Sequence, residues 1–241
     1  MSTRASRSTA GTARTTTGLV FIADMYGVQL DQLAQLLSLT SRQARALVSR
    51  WRSAGLAESG VLSTGPPWIW LTRQGLRACG FGYPEAPPAL SRLAHIRAVA
   101  AVRLALEATP EYRTGDAHWR SERHLRARGR PGRHEHLPDA EVHWPDTGLP
   151  WGGECWAIEA ELTPKTVTRT TAIMRELLTR TGDYGCPAAE AHVPGMPPRH
   201  SRAVYLCSPA AGGVVLRARQ AFGNAANRIE VRPLPASALL A

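Results

Sequence analysis

Residues 30–58 read LDQLAQLLSLTSRQARALVSRWRSAGLAE, and two short helical periodicities follow one another within this stretch. Leucine and alanine residues spaced three and four apart predict a helix over residues 30–37. A second helix is predicted after the break, because Thr40 or Ser41 can cap its start and Gly55 can end it. The apolar face of this second helix consists of Ala44, Leu47, Val48 and Trp51.

The flanking segments extend this pattern to helix, helix, turn, helix and hairpin. A helix that ends near Gly27 precedes the stretch, and residues 56–62 and 68–71 predict two strands joined by a Ser-Thr-Gly-Pro-Pro turn. Thr72 can cap a further short helix. This order resembles the winged helix-turn-helix domain of MarR-like bacterial regulators, and the resemblance is carried by residues 30–58 and by a wing that ends in WLTRQGL.

The winged-helix resemblance implies that the helix from Ser41 binds double-stranded DNA. In such domains this helix enters the major groove, and the turn, here residues 63–67, lies on the backbone or in the minor groove. The alternative is a packing or dimerisation module that does not contact nucleic acid. A homodimer is therefore a second partner hypothesis. The implied DNA contacts are Ser41, Arg42, Gln43, Arg45, Ser49, Arg52 and Thr64.

The charge of the chain is distributed unevenly. The 241 residues have a formal net charge of +10; residues 1–137 carry 19 basic and 9 acidic side chains, and residues 138–241 carry 10 of each. A basic part joined to a neutral part predicts that one part binds a polyanion and that the other has a different role. No apolar run reaches the roughly 18 residues of a membrane span and no secretion signal is recognised, so a cytoplasmic protein without a membrane partner is expected.

Composition divides the chain into four segments. Residues 1–16 have the composition of a disordered basic tail, with a transit peptide as the alternative. Residues 17–81 form the predicted winged helix, residues 82–90 a proline-rich linker, and residues 91–241 an α/β domain. The predicted fold class is therefore α+β or α/β, with a winged helix-turn-helix followed by a mixed sheet flanked by helices.

The second domain alternates helices and strands. The interval from Arg113 to Arg133 contains seven arginines, which form either a solvated face or a patch that follows a phosphate backbone. Alternating polarity predicts that the strands over residues 139–144 and 155–162 each have one polar face. The other predicted elements are helices over 91–108, 118–128, 163–180 and near 214–222, and strands over 203–207 and 229–234.

Acidic residues are predicted on the polar faces of two neighbouring strands. Asp139 lies on the first of these faces, and Glu159 and Glu161 lie on the second. Carboxylates held close together repel one another, so the cluster favours protonation or a hard cation such as Mg²⁺. Lys165, the only lysine of the chain, is predicted in the first turn of the next helix, where its ammonium can meet a phosphate oxygen.

These residues resemble the PD-(D/E)XK nuclease superfamily. Pro138-Asp139 matches the first half of its motif, and Glu159-Ala160-Glu161 stands where the second half lies, with Glu161 at the position of the lysine. The resemblance implies that Asp139 and Glu159 bind Mg²⁺ or Mn²⁺. It further implies that Glu161 or Lys165 positions water and phosphate, and that Glu122 on the preceding helix supports the site.

The whole chain also resembles the replication-relaxation family of actinobacterial plasmids and mobile elements. The residues that carry this resemblance are WRSERHLR, LPDA and AIEAELTPKT, which follow the predicted winged helix. The resemblance implies a role in the replication or mobilisation of such an element. Two functions follow as hypotheses: a Mg²⁺-dependent DNA endonuclease, or a non-enzymatic DNA-binding regulator or replication accessory factor whose nuclease-like domain is inactive.

A rival interpretation concerns the histidines before the first strand. His134, His136 and Glu141 fit the HxH…E metal signature of cupins. Some regulators join a helix-turn-helix to a cupin, so a metal-dependent sensor or dioxygenase is the alternative. Against it, a cupin needs many short strands, whereas residues 164–180 and 214–222 have helical periodicity.

Overall fold

The protein is an α+β protein that folds as two compact units, with the boundary between Leu104 and Ala105. The computed structural model describes residues 3–128, 135–145, 153–182 and 195–238, with side chains from Ala13 onward. None of the helices within these ranges is both long and apolar enough to cross a membrane.

The first unit combines helices with a small antiparallel sheet whose strand order is β1-β3-β2. Its strands are β1 (Val28–Gln29), β2 (Ala57–Gly60) and β3 (Trp68–Leu71). Its helices are α1 (Thr3–Asp24), α2 (Leu30–Leu36), α3 (Ser41–Ser53), α4 (Arg73–Ala78) and most of α5 (Leu93–Glu107).

Helix α3 forms as its sequence predicts. The hydroxyl of Thr40 accepts a hydrogen bond from the backbone N–H of Gln43, and the Gln43 side chain accepts one from the Thr40 N–H in return. Gly55 has a φ of +68°, a conformation that glycine adopts without strain after a helix end. The predicted apolar face is buried and anchors the helix to the unit; it consists of Ala44, Leu47, Val48 and Trp51.

The N-terminal segment differs from its prediction. Residues 3–16, predicted to be a disordered tail, form the first part of α1. The second part of this helix is anchored by side chains such as Phe21 and Ile22, which are almost completely buried. Extension of an existing helix needs no new nucleation, so residues 3–16 can continue the helix that the following residues anchor.

The boundary between the units also differs from its prediction at residues 82–90. Helix α5 belongs mainly to the first unit, where the guanidinium of Arg97 is buried and pairs with Asp31 at 2.8 Å. The carbonyl of Arg97 accepts a hydrogen bond from the amide of Gln32, also at 2.8 Å. A buried guanidinium needs such partners, and α5 therefore remains with α2 although proline-rich chain separates the two helices in sequence.

The second unit contains a five-stranded mixed sheet with the order β4-β5-β6-β7-β8. Strands β4, β5 and β6 are antiparallel neighbours, whereas β6, β7 and β8 are parallel and are connected by crossovers through helices. The strands are β4 (His118–Ser121), β5 (Ala140–Trp144), β6 (Glu154–Glu161), β7 (Arg202–Cys207) and β8 (Ile229–Pro233). The helices are α6 (Pro110–Thr114), α7 (Glu122–Arg128), α8 (Val167–Thr179) and α9 (Pro209–Arg219).

Two helix predictions in this unit are wrong at their starts. Residues 118–121 form strand β4, because they pair with β5, and the helix predicted from His118 begins only at Glu122. Helix α8 begins at Val167 rather than at Thr163-Pro164, since the hydroxyl of Thr166 caps the N–H of Arg169 at 3.1 Å. Lys165 therefore precedes the helix and does not lie in its first turn.

Candidate functional site

The predicted acidic residues converge at one end of β5 and β6. Asp139 immediately precedes β5, and its Oδ2 accepts a hydrogen bond of 2.8 Å from the backbone N–H of Ala160. Ala160 lies between Glu159 and Glu161 on β6, so this contact brings Asp139 beside both glutamates. We call Asp139, Glu159 and Glu161 the acidic cluster.

The two glutamates of the acidic cluster are buried, which differs from the polar, solvated face that their alternation predicts. Only 3% of Glu159 and 5% of Glu161 is exposed. The reason is tertiary: β7 pairs with β6 and places Tyr205 opposite Glu159 and Cys207 opposite Glu161. These two β7 residues belong to the hydrophobic core that includes α8 and α9, so the face of β6 that carries the glutamates is covered.

Glu159 is in direct contact with a histidine from the loop before β5. The Nε2 atom of His136 lies 2.6 Å from Glu159 Oε1, and the His136 backbone N–H donates to Glu176 of α8 at 2.9 Å. Burial raises the pKa of Glu159 to about 7; His136 acts in the opposite direction, and the charges of Asp139 and Glu161 raise it further. Burial lowers the pKa of His136, but the charge and hydrogen bond of Glu159 outweigh it, so the pair holds a proton tightly.

Glu161 is neutralised from the opposite side of the cluster. It forms an ion pair with Lys165, four residues later in the chain. The Lys165 side chain is 39% exposed, whereas that of Glu161 is 6% exposed. The buried carboxylate is therefore paired with an ammonium that is partly accessible to solvent. The structure therefore brings the displaced lysine to the cluster, although from a loop rather than from a helix.

Tyr205 is a member of this site that sequence reasoning missed. It is fully buried, and its hydroxyl has no hydrogen-bond partner among the described residues. Burial and then the charges of Glu159 and Glu161 raise its pKa well above the usual value. The residue lies in the apolar segment of β7, and only the parallel pairing of β7 with β6 reveals that it stands opposite Glu159.

Glu122 is close to the cluster through its backbone. Its N–H donates to the carbonyl of Asp139 at 2.9 Å, which connects the start of α7 to the residue before β5. Its carboxylate forms an ion pair with Arg126, one turn later in the same helix. Glu122 thus supports the backbone at Asp139, while its side chain is engaged with arginine.

The residues of the cupin-like signature belong to different environments. His134 lies outside the described residues, His136 contacts Glu159, and Glu141 is held by Arg199, His143 and His200. The pairings of His136 and Glu141 therefore place them in two separate networks.

The predicted DNA contacts lie on the exposed face of α3 and in the turn before β3. Gln43 also serves in the cap of α3, and Arg52 lies 3.9 Å from Glu58, both side chains being about half exposed. The side chains of Arg42 and Arg45 are exposed on this face. The exposed set comprises Ser41, Arg42, Gln43, Arg45, Ser49, Arg52 and Thr64.

The fold and these features define an α+β protein with two parts: a small unit that exposes an arginine-bearing helix, and a mixed-sheet unit with a buried acidic cluster at one sheet end. Comparison with family models, with curated proteins and with solved structures found no match to the chain.

Proposed function

We propose that the chain is a DNA-binding protein of a plasmid or other mobile element, and that its second unit is a DNA endonuclease dependent on Mg²⁺ or Mn²⁺. The observation that carries this proposal is the hydrogen bond from Ala160 to Asp139. Through it, carboxylates twenty residues apart lie at the same end of two neighbouring strands. This is the arrangement that the PD-(D/E)XK resemblance implies.

The donor set of the acidic cluster fits Mg²⁺. This ion is usually held by one or two carboxylates together with water and phosphate oxygens, and Asp139 and Glu159 supply the two carboxylates. Their proximity in a buried place raises the cost of negative charge, and a cation removes that cost. When bound, such a cation polarises a phosphoryl oxygen and lowers the pKa of a bound water.

Side chains that contact the acidic cluster have roles that follow from those contacts. His136 is hydrogen-bonded to Glu159 and takes up the proton that Glu159 must release to act as a ligand. The ammonium of Lys165 is partly exposed, so it can contact a phosphate oxygen while it remains paired with Glu161. The Ala160 N–H keeps Asp139 oriented toward Glu159.

The first unit is proposed to provide DNA binding. Helix α3 is rigidly anchored by its buried face and exposes Arg42 and Arg45 on the other. Arginine side chains on an exposed helix can contact phosphates and the edges of guanine in the major groove. The basic excess of residues 1–137 is consistent with binding to a polyanion.

One observation favours a non-enzymatic second candidate. Glu161 is already paired with Lys165, and Glu159 with His136, so protein side chains compensate much of the negative charge of the cluster. In that case the mixed-sheet unit retains the acidic cluster as a structural feature, and the protein acts as a DNA-binding regulator or replication accessory factor.

Cleavage of supercoiled plasmid DNA in the presence of Mg²⁺ or Mn²⁺ separates the two candidates. The wild type is compared with Asp139→Asn and Glu159→Gln, which remove charge and keep shape, and with Glu111→Gln as a matched exposed control in the same unit. Metal-dependent nicking that disappears in the first two variants and persists in the control supports the endonuclease. DNA binding without cleavage at any concentration of either metal overturns it and supports the accessory factor.

A further inference from the structure

A second polar cluster lies further along the same face of β5 and β6 as the acidic cluster. It is formed by Glu141 and His143 of β5 and Cys155 of β6. His143 stands directly opposite Cys155 in the antiparallel register, and Glu141 lies two residues earlier, so all three side chains share one face. We call these three residues the mixed-donor cluster, because they offer a carboxylate, an imidazole and a thiol.

The three donor atoms are already close to the separations that a metal ion requires. The Nε2 atom of His143 lies 3.5 Å from Cys155 Sγ and 2.9 Å from Glu141 Oε2, and all three atoms lie within 4.8 Å of one another. Tetrahedral zinc with its usual bond lengths separates nitrogen and sulfur ligands by about 3.5 Å. The nitrogen–oxygen pair has to open by only about 0.5 Å to reach the corresponding separation.

Glu141 is held in place by groups behind it. Its Oε1 accepts hydrogen bonds from Arg199 Nε at 2.6 Å and pairs with His200 Nε2 at 2.9 Å, and its Oε2 accepts from Arg199 at 3.0 Å. Oε2 also accepts a hydrogen bond from His143 Nε2–H. A metal ion that takes the place of this proton can bind Oε2 while Arg199 stays hydrogen-bonded to both carboxylate oxygens. Metal-binding carboxylates are typically oriented by such partners.

A cavity of about 410 Å³ reaches two of the three donors, His143 and Cys155, while Glu141 is fully buried and does not line it. His143, Cys155 and Arg199 line this cavity together with His118 of β4. His118 is exposed and stands directly opposite His143 in the register of β4 and β5. The cavity thus provides an entry path to His143 and Cys155 and a further imidazole, that of His118, at its edge.

We propose that Glu141, His143 and Cys155 form a binding site for a transition-metal ion, with Zn²⁺ as the ion that suits them best. A nitrogen, sulfur and oxygen donor set matches zinc, whereas Mg²⁺ prefers oxygen alone. On binding, the Cys155 thiol releases its proton to solvent and its sulfur forms a bond to the metal. The Nε2 proton of His143 is replaced by the metal, and the neutral ring carries its one proton on Nδ1.

Zinc binding by the purified full chain tests this site. After removal of metal with a chelator, the protein is titrated with Zn²⁺, and with Co²⁺ as a spectroscopic probe. We expect one equivalent of tightly bound Zn²⁺ and a cobalt–thiolate absorption band. Cys155→Ser and His143→Gln should weaken Zn²⁺ binding by at least about tenfold, because loss of a ligand costs no less than loss of a group that orients one.

Three control variants test the two other cysteines that the structure describes and separate this site from the proposed nuclease. Cys79→Ser and Cys207→Ser should retain the bound zinc and the cobalt–thiolate band. Asp139→Asn should also retain zinc, even if it abolishes cleavage, because Asp139 belongs to the acidic cluster. Circular dichroism of the metal-free variants establishes that each is folded.

Two results would overturn the proposal. One is Zn²⁺ binding that is unchanged in both Cys155→Ser and His143→Gln. The other is a wild-type protein that shows no cobalt–thiolate band, which decides the question even if a variant fails to fold.

Discussion

The burial of Glu159 predicts that the acidic cluster lowers the stability of the free protein at neutral and alkaline pH. The pKa of Glu159 is raised from its usual value of 4.5 to about 7, so the folded state binds this proton more tightly than the unfolded state does. The favourable contribution of the protonated carboxyl is complete below the unfolded value and is lost as the pH rises through about 7. A shift of this size corresponds to about 3 kcal/mol of unfolding free energy at pH 8 and about 1 kcal/mol at pH 5.

Glu159→Gln removes the charge and keeps the shape of the side chain. Because the variant also loses the contact with His136, the linkage argument fixes the change with pH: we expect Glu159→Gln to be more favourable relative to the wild type at pH 8 than at pH 5, by about 2 kcal/mol of unfolding free energy. Urea unfolding followed by circular dichroism at both pH values measures the difference.

Glu230→Gln is a control of opposite sign in the same sheet. Arg232 and Arg202 lower the pKa of Glu230, so its charge stabilises the fold above the unfolded pKa, and that contribution is lost as the pH falls through the lowered value. Its replacement should be neutral or destabilising at pH 8. The reasoning about Glu159 is refuted if Glu159→Gln changes the unfolding free energy by the same amount at pH 8 as at pH 5.

Mg²⁺ provides a second arm of the same experiment. An ion that binds only the folded state stabilises it, by about 2.7 kcal/mol at a hundredfold excess over the dissociation constant. We expect Mg²⁺ to stabilise the wild type at pH 8 and to have little effect on Glu159→Gln. Equal stabilisation of both proteins would place the bound ion elsewhere.

Three further predictions concern the first unit. Arg97→Met removes a buried guanidinium from its ion pair and should lower the unfolding free energy by about 2 kcal/mol, measured in urea; an unchanged midpoint would contradict the role of α5 in this unit. Gly75→Ala should cost about 2–3 kcal/mol by thermal unfolding, because a Cβ atom there would lie 1.9 Å from the carbonyl oxygen of Leu56, whereas Gly82→Ala, with open space around it, is the neutral control. Arg45→Ala should weaken DNA binding by about 1–3 kcal/mol in fluorescence anisotropy, with wild-type affinity that falls steeply with salt; a flat salt response would indicate a protein partner instead.

Helices α2 and α3 of the first unit could be predicted because their signals are local. The cap at Thr40, the end at Gly55 and the apolar face of α3 each depend on residues within a few positions of one another. The ion pair between Glu161 and Lys165 was not predicted, because Lys165 was assigned to a helix that begins only at Val167. Local geometry is set by the backbone and by neighbouring side chains, so it can be inferred before the fold is known.

What the tertiary structure alone decided is where those elements meet and what they cover. Strand β4 was missed because its four residues form a strand only by pairing with β5. The burial of Glu159, the position of Tyr205 opposite it and the separate cluster around Cys155 all depend on which strands became neighbours. Pairing between strands that are distant in the chain is determined by the packing of the whole unit. The alternation within one strand predicts which residues share its polar face, but not whether that face is exposed to solvent.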